Sequence, residues 1–411
     1  MNVAAAVEVK GWCPGVLLPM QSGDGLLARV RPWCGSIGLA EARGLADAAG
    51  RFGNGHIDLT RRANLQIRGM TEASLDGLQD VVMALGLVDA DSRSEAVRNI
   101  MVAPLAGIDP SEVLDIRPLA RALEAGLAAD STLHDLPSKF GFVIDGGGRI
   151  SIAGERADVA LSVVKQGIAV GLDTHAGTRW LGIVSPDAAA NVALVAARAF
   201  LRVCRGRERL RDLDDERAAH LRSVLSPLLS PLYGEVTAVS NRPLGAISLD
   251  AGRFAVGVAA AFGRLEARQL ANFAGIAAEA GATELRLSPW RSFYVEVRDH
   301  AAACRLVEAA RDIGLIAEAK EPVLRIDACP GAPACRSSSV DTRRDARRLA
   351  SLGFEGTLHV SGCAKGCARS TPADMTLVGD EGRYKVIRKG TTRDVPERVI
   401  AVEEAEALLH V

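Results

Sequence analysis

At 411 residues the chain is too long for one ordinary core and calls for two to four domains. Hydrophobic residues make up 48% and charged residues 24%, the balance of a soluble globular protein, and a formal net charge of −1 supplies no basic field for nucleic acid. No run of about 18 apolar residues occurs, so no membrane span is expected.

The chain opens on MNVAAAVEVKGWCPG, a short apolar stretch with no basic start, interrupted by Glu8. It reads as a frayed arm rather than a signal peptide, and a cytoplasmic protein is expected. Eight cysteines follow: Cys13, Cys34, Cys204, Cys304, Cys329, Cys335, Cys363 and Cys367. In such a compartment they stay reduced. Cys204 and Cys304 sit in apolar helical patterns and read as core thiols, and Cys13 and Cys34 as structural ones.

An internal duplication orders the rest. The stretch from Ile37, IGLAEARGLADAAGRFGNGHIDLTRRANLQIRG, parallels that from Gly263, GRLEARQLANFAGIAAEAGATELRLSPWRSFYVEV. Ala42, Arg43 and Leu45 align with Ala267, Arg268 and Leu270 at an offset of 225, and Leu59, Leu65 and Ile67 with Leu287, Phe293 and Val295 at 228, which implies three residues inserted before the second strand. Each copy reads as strand, helix, second strand, second helix. The following segments also correspond: VRNIMVAPLAGID with LRIDACPGAPAC, and HDLPSKFGFVIDGGG with LHVSGCAKGCARS. The chain is therefore A–B–A′–B′, with expected domains at 10–90, 91–235, 240–319 and 320–411. The polar run at 205–220 connects the halves and reads as a solvated helix face.

Only B′ carries cysteines at these places. Cys329, Cys335, Cys363 and Cys367 form C-x5-C, a gap of 27, then C-x3-C. Four thiolates are the usual complement of a [4Fe–4S] cluster. Zinc knuckles prefer two to four intervening residues. The Gly-, Ala- and Pro-rich loops let backbone N–H groups approach sulfide. Zinc, or four core thiols, remain the alternatives on spacing alone.

A second group is cationic. Arg29 and Arg31 alternate on one strand face, Arg62, Gln66 and Arg68 lie in DLTRRANLQIRG, and Arg98 and Lys139 come from B. As a set they suit a polycarboxylate ligand, because guanidinium forks grip carboxylates two at a time. Taken singly, each is as well read as surface arginine. His56, His134, His175 and His359 form no spaced ligand motif and receive no role. GDGLL and DGGGR lack the strand–helix setting of a dinucleotide fingerprint and read as turns, so no bound nicotinamide or flavin is expected.

The duplication, the cysteine spacing with SGCAKGC, LTRRANLQIRG and LPSKF together resemble the nitrite/sulfite reductase family over nearly the whole chain. The resemblance implies an α+β fold in which two ferredoxin-like half-domains pair and two α/β domains flank a cofactor. In the reductases that cofactor is siroheme, bridged to the cluster through the last cysteine, here Cys367. Two features turn the reading from reduction. LPSKFGF keeps Lys139 but has Gly141 where sulfite reducers carry a second basic residue; a small anion over haem iron needs that grip, which speaks against sulfite, whereas nitrite reducers tolerate a neutral residue there. WCPGVLLPMQSGDGLLARVRP resembles the opening of the family's precorrin-3B synthase branch. That branch implies a monooxygenase of cobalamin biosynthesis, hydroxylating precorrin-3A at C20 with O2 and closing a γ-lactone. It also implies a [4Fe–4S] cluster, a separate non-haem iron and an external reductase or ferredoxin-like donor. Arg29, Arg31, Arg62, Gln66, Arg68, Arg98 and Lys139 would then hold a modified tetrapyrrole as substrate, Arg62 in the place of the family's siroheme-side arginine. A siroheme-dependent nitrite or sulfite reductase, or a non-catalytic iron–sulfur or zinc module, are the competing readings.

Overall fold

The computed structural model describes residues 13–237, 242–250 and 252–405. The N-terminal arm MNVAAAVEVKGW and the outer ends of three expected domains lie outside the described residues.

Four five-stranded sheets form the α+β framework. The first joins Met20–Ser22, Gly25–Val30, Leu65–Met70 and His56–Leu59 to Arg264–Glu266 of the second half. The second joins Gly245–Ser248, Phe254–Ala259, Ser292–Val297 and Glu284–Leu287 to Ser36–Gly38 of the first half. Each half thus lends its partner an edge strand. Helices Leu39–Phe52 and Ala267–Glu279 pack against each other, and one apolar core runs through both halves. That exchange makes the two halves a single folding unit, since neither sheet is complete without the other.

The helices correct the repeat alignment. Ser36–Gly38 and Arg264–Glu266 stand 228 apart, and so do His56–Leu59 and Glu284–Leu287. At that offset the buried positions Ala42, Leu45, Ala46 and Ala49 meet Leu270, Phe273, Ala274 and Ala277. No insertion separates the copies. The offset of 225 is a slip of three residues, nearly one helical turn, which leaves apolar positions roughly aligned. Each expected second strand is in fact a hairpin. His56–Leu59 and Leu65–Met70 are joined by a turn in which Thr60 N–H donates to Asn64 O, as Ser288 N–H donates to Ser292 O in the other copy. Left-handed residues recur at equivalent places: Cys34 (φ 52°) with Phe262 (φ 56°), and Ala63 (φ 52°) with Arg291 (φ 60°).

The third sheet orders Ile100–Val102, Phe142–Asp145, Val159–Val164, Gly167–Thr174 and Gly177–Val184 through two parallel and two antiparallel steps. The fourth repeats those steps through Ile326–Ala328, Leu358–Ser361, Ala373–Asp380, Arg383–Gly390 and Arg398–Ile400. The register is conserved too: Met101 faces Val143 in one copy, and Asp327 faces His359 in the other.

Domains meet through charge. Asp58 is 6% exposed and accepts from Arg264 Nε at 3.0 Å and Arg343 Nη1 at 3.0 Å, with Arg68 Nε at 3.9 Å. Those cations come from the second half, the cysteine-bearing domain and the first half. In the connection, helix Asp215–Leu225 follows expectation, capped by Asp214 onto Arg217 N–H. Arg209 and Arg211 do not; they turn inward onto buried Asp158 and Asp173. Cys204 and Cys304 are half-buried rather than in the core. No helix among the described residues is long and apolar enough to cross a membrane.

Candidate functional site

Both cysteine pairs leave the same end of neighbouring parallel strands. Cys329 follows Ile326–Ala328, and Cys363 follows Leu358–Ser361 after one glycine. This is the edge where α/β sheets place ligands. Gly362 N–H donates to Cys329 Sγ at 3.1 Å. A Cβ on Gly362 would lie 2.2 Å from Ser338 Oγ and 3.5 Å from Cys329 Sγ, so only glycine admits this approach. Gly331 (φ 66°) and Gly366 (φ 63°) bend the two loops round the thiols.

The sulfurs sense one another. Burial, then Cys335 and Cys329, push Cys363 up against the Lys365 N–H. Burial and the other three cysteines push Cys367 up to about 11, with Lys365 opposing. Cys367 is the exposed member as a residue, yet its thiol feels this desolvated ring; Cys329 is buried. Four thiolates, an N–H···S bond and glycine loops that let the main chain approach sulfur fit an iron–sulfur cluster.

The loop 330–335 is held from the first half. Ala334 O accepts from Gly23 N–H (3.2 Å), Ser22 Oγ (2.9 Å) and Arg68 Nη2 (3.1 Å). The sequence MQSGDG thus braces the first cysteine pair.

The cationic residues separate into two classes. Arg31 is 2% exposed and donates to Glu95 Oε1 (3.1 Å), Asn99 Oδ1 (3.2 Å) and Pro14 O (3.4 Å). Arg98 donates to Glu95 Oε2 and Arg31 O and stacks on Trp33 at 3.6 Å. Arg68 forks onto Asp24 at 2.8 and 2.7 Å. These three side chains are engaged by partners within the protein and brace the elements around them. Arg29, Arg62 and Lys139 differ. Arg62 Nη1 donates to Lys139 O at 3.0 Å, and Lys139 itself is exposed. Arg29 Nε is buried with no hydrogen-bond partner. Gln66 lies between Arg29 and Asp58 in a row across three strands. Burial, then Arg209, lower Arg62 to about 10.

Sequence reasoning missed three groups here. Arg156 and Arg209 line a small cavity with Arg62, Asn99 and Gly141. Cys13 faces the same cations: burial pushes its thiol up, but Arg29, Arg62, Ser138 and Lys139 outweigh it and hold the thiol below its ordinary value. Cys34 is the reverse, driven up to about 12 by burial and Glu124. His359 is fully buried, and neither ring nitrogen has a partner. No spacing announces these, because each is assembled from separate segments.

Comparison with known proteins matches the same architecture. The nitrite/sulfite reductase ferredoxin-like half-domain model matches residues 18–85 and 248–312, and the nitrite and sulphite reductase 4Fe-4S domain model matches 94–272. A precorrin-3B synthase of Sinorhizobium is 34% identical over 94% of this chain and 84% of its own length. The chain belongs to the nitrite/sulfite reductase family. The ferredoxin–nitrite reductase of Synechococcus elongatus is 27% identical over 87% of this chain and 77% of its own. The Mycobacterium tuberculosis NirA protein shares the fold, with a TM-score of 0.79, 23% identity, and coverage of 93% of this chain and 79% of its own. The 4Fe-4S domain match covers the copy without the cysteine quartet. The cysteine-bearing copy repeats it strand for strand, as the two sheets show.

Proposed function

We propose that this chain is a precorrin-3B synthase-like monooxygenase. It would hydroxylate precorrin-3A at C20 and close a γ-lactone with a ring acetate. One oxygen atom of O2 enters the substrate, and the other leaves as water, taking two electrons from an external reductase or ferredoxin-like donor and two protons from solvent. The relative of that name, aligned over most of both chains, supports the reading. The structural observation beside it is Gly141. A Cβ there would lie 3.0 Å from Asn99 O and 3.6 Å from Arg62 Nη1, so any side chain needs the neighbouring main chain to give by a few tenths of an ångström. Without a second basic side chain the loop lacks one cation of a grip on sulfite, which speaks against sulfite reduction.

Cys329, Cys335, Cys363 and Cys367 would hold a [4Fe–4S] cluster, which supplies single electrons. A separate non-haem iron is proposed on the family resemblance alone, and no residue is assigned to it. Arg29, Arg62 and Lys139 would bind peripheral carboxylates of the substrate, and Gln66 extends that polar row. Arg31, Arg68 and Arg98 hold those elements in place.

The absorption spectrum of anaerobically purified protein tests the reading. A broad violet shoulder without a Soret band is expected, together with O2-dependent conversion of precorrin-3A. A strong Soret band with red bands would instead establish the siroheme reductase, and a colourless protein a zinc module. Arg62→Ala is expected to weaken precorrin-3A binding about tenfold or more while leaving iron and sulfide content unchanged, since it removes a charge-assisted contact. Unaltered affinity in that variant sinks the pocket assignment.

A further inference from the structure

A second set of cations, distinct in membership from Arg29, Arg62 and Lys139, lies at the junction of three segments. Arg61 comes from the turn of the first half, Arg291 from the equivalent turn of the second, and Arg369 from the loop just after Cys367. All three surround one carboxylate. Arg291 Nη1 reaches Asp327 Oδ1 at 2.8 Å, Arg369 Nη1 reaches Asp327 Oδ2 at 3.1 Å, and Arg61 Nη1 lies 3.6 Å from Asp327 Oδ2. Three guanidiniums against one carboxylate leave a net charge of about +2.

The three are not equally engaged. Arg369 also donates to the carbonyls of Thr371 and Pro372, and Arg291 to Ala368 O. Arg61 is 39% exposed, and the 3.6 Å approach to Asp327 is longer than a hydrogen bond. It is the most exposed of the three cations.

Beside this cluster stands His359, in register with Asp327 on the neighbouring strand. It is fully buried, and both ring nitrogens lack partners. Burial lowers the imidazole to about 4 against the pull of Asp327, with Arg369, Arg291 and Arg61 adding to the shift. At neutral pH the ring is uncharged and offers one donor and one acceptor. Buried polar atoms without partners are uncommon and costly, so such a group points to a polar guest. A metal cation is a poor guest beside three guanidiniums. A carboxylate is a good one, because Arg forks match its two oxygens.

The duplication shows that the fold does not require this cluster. Where the cysteine-bearing copy has Asp327 facing His359, the other copy has Met101 facing Val143. Ala63 stands where Arg291 stands in the second turn. The charged set is present once, on the side that carries the cysteines.

We propose that Arg61, Arg291, Arg369 and His359 form a second carboxylate subsite, taking a peripheral acid group of the tetrapyrrole substrate next to the cysteine loop. This rests on the tetrapyrrole reading above. It gives the substrate two grips, one at Arg29, Arg62 and Lys139 and one beside Cys367. Asp327 holds the guanidiniums in place and competes with the incoming carboxylate.

Full-length, cluster-loaded protein is titrated with uroporphyrin I, a stable tetrapyrrole with eight carboxylates, and separately with citrate. Arg61→Ala is expected to weaken uroporphyrin binding about tenfold. Asp327→Asn is expected to tighten it several-fold, because the competing carboxylate loses its charge. Visible absorbance of Arg61→Ala is expected to match the parent, since the ion pair that Arg61 makes is with Asp327 and not with a cysteine. Wild-type uroporphyrin affinity in Arg61→Ala, with Arg62→Ala weakened, overturns the subsite and leaves the first pocket standing. Insensitivity to both substitutions overturns both. Loss of citrate binding alone in Arg61→Ala would assign the site to a free anion and overturn the substrate assignment.

Discussion

Serine in place of Cys329 is expected to strip the protein of iron and acid-labile sulfide by roughly tenfold or more, with loss of visible absorbance. The residue is the buried member of the quartet and accepts the Gly362 N–H at 3.1 Å. A hydroxyl at that place keeps the hydrogen bond but ionises far less readily than a thiol, so it is a poor iron ligand. The loss should recur with Cys363→Ser, because its sulfur lies on the neighbouring strand end of the same ring. Folding should survive, since the sheet beneath is packed by Val360, Leu377, Tyr384 and Val386 and does not depend on the thiols. Iron and sulfide analysis with circular dichroism checks both halves of this statement. Full iron content in both variants removes the quartet from the metal site. One zinc per chain in the parent would replace the cluster by a single ion.

The quartet was legible in sequence because its information is local: four cysteines in loops of small residues, two on each side of one strand crossover. The duplication was legible for the same reason, although a helix aligned by apolar pattern slips by one turn without penalty, as Ala42 against Ala267 did. Strand registers do not tolerate such a slip, and the pairing of Arg264 with Asp58 and of Ser36 with Arg286 sets the offset. The arginines were legible only as a set. Nothing in LLARVRP tells that Arg31 will meet Glu95 and Asn99 from a segment more than sixty residues away, while Arg29 is left with a free Nε. Which cation is spent on folding depends on carboxylates delivered by other elements. Arg62 and Arg68 lie six residues apart, yet one reaches Lys139 O and the other is clamped by Asp24. His359 was set aside as a lone histidine. Its significance comes from Asp327 across the register and from two arginine-bearing turns that the fold brings to the same place.

Removing the Asp58 carboxylate is expected to cost the folded protein about 3–5 kcal/mol, the range for stripping one partner from a buried ion network. Asp58 sits beneath three guanidiniums from three parts of the chain, Arg264, Arg343 and Arg68, at 3.0, 3.0 and 3.9 Å. Arg343 is 7% exposed and Arg68 2%, so neither reaches water if the carboxylate goes. Arg68 retains Asp24, whereas Arg343 has a buried Nε with no partner already. The Asp58→Ala cost therefore falls chiefly on the contact between the paired half-domains and helix Thr342–Ala350 of the cysteine-bearing domain. Burial pushes the Asp58 carboxyl up, but Arg343, Arg264 and Arg68 outweigh it and hold the group far below the ordinary carboxylate range. A folded-state value below the unfolded one means that the unfolded chain takes up the proton first. The stabilisation is complete above about pH 4 and drains away as pH falls below it. Asp58→Asn should show the same loss at neutral pH with a flatter acid limb, because the titrating group is gone. Urea unfolding followed at pH 7 and between pH 5 and 3 measures both. A neutral-pH loss below about 1 kcal/mol would mean that water or relaxation screens the guanidiniums, and that Asp58 is not what ties the cysteine-bearing domain to the paired halves.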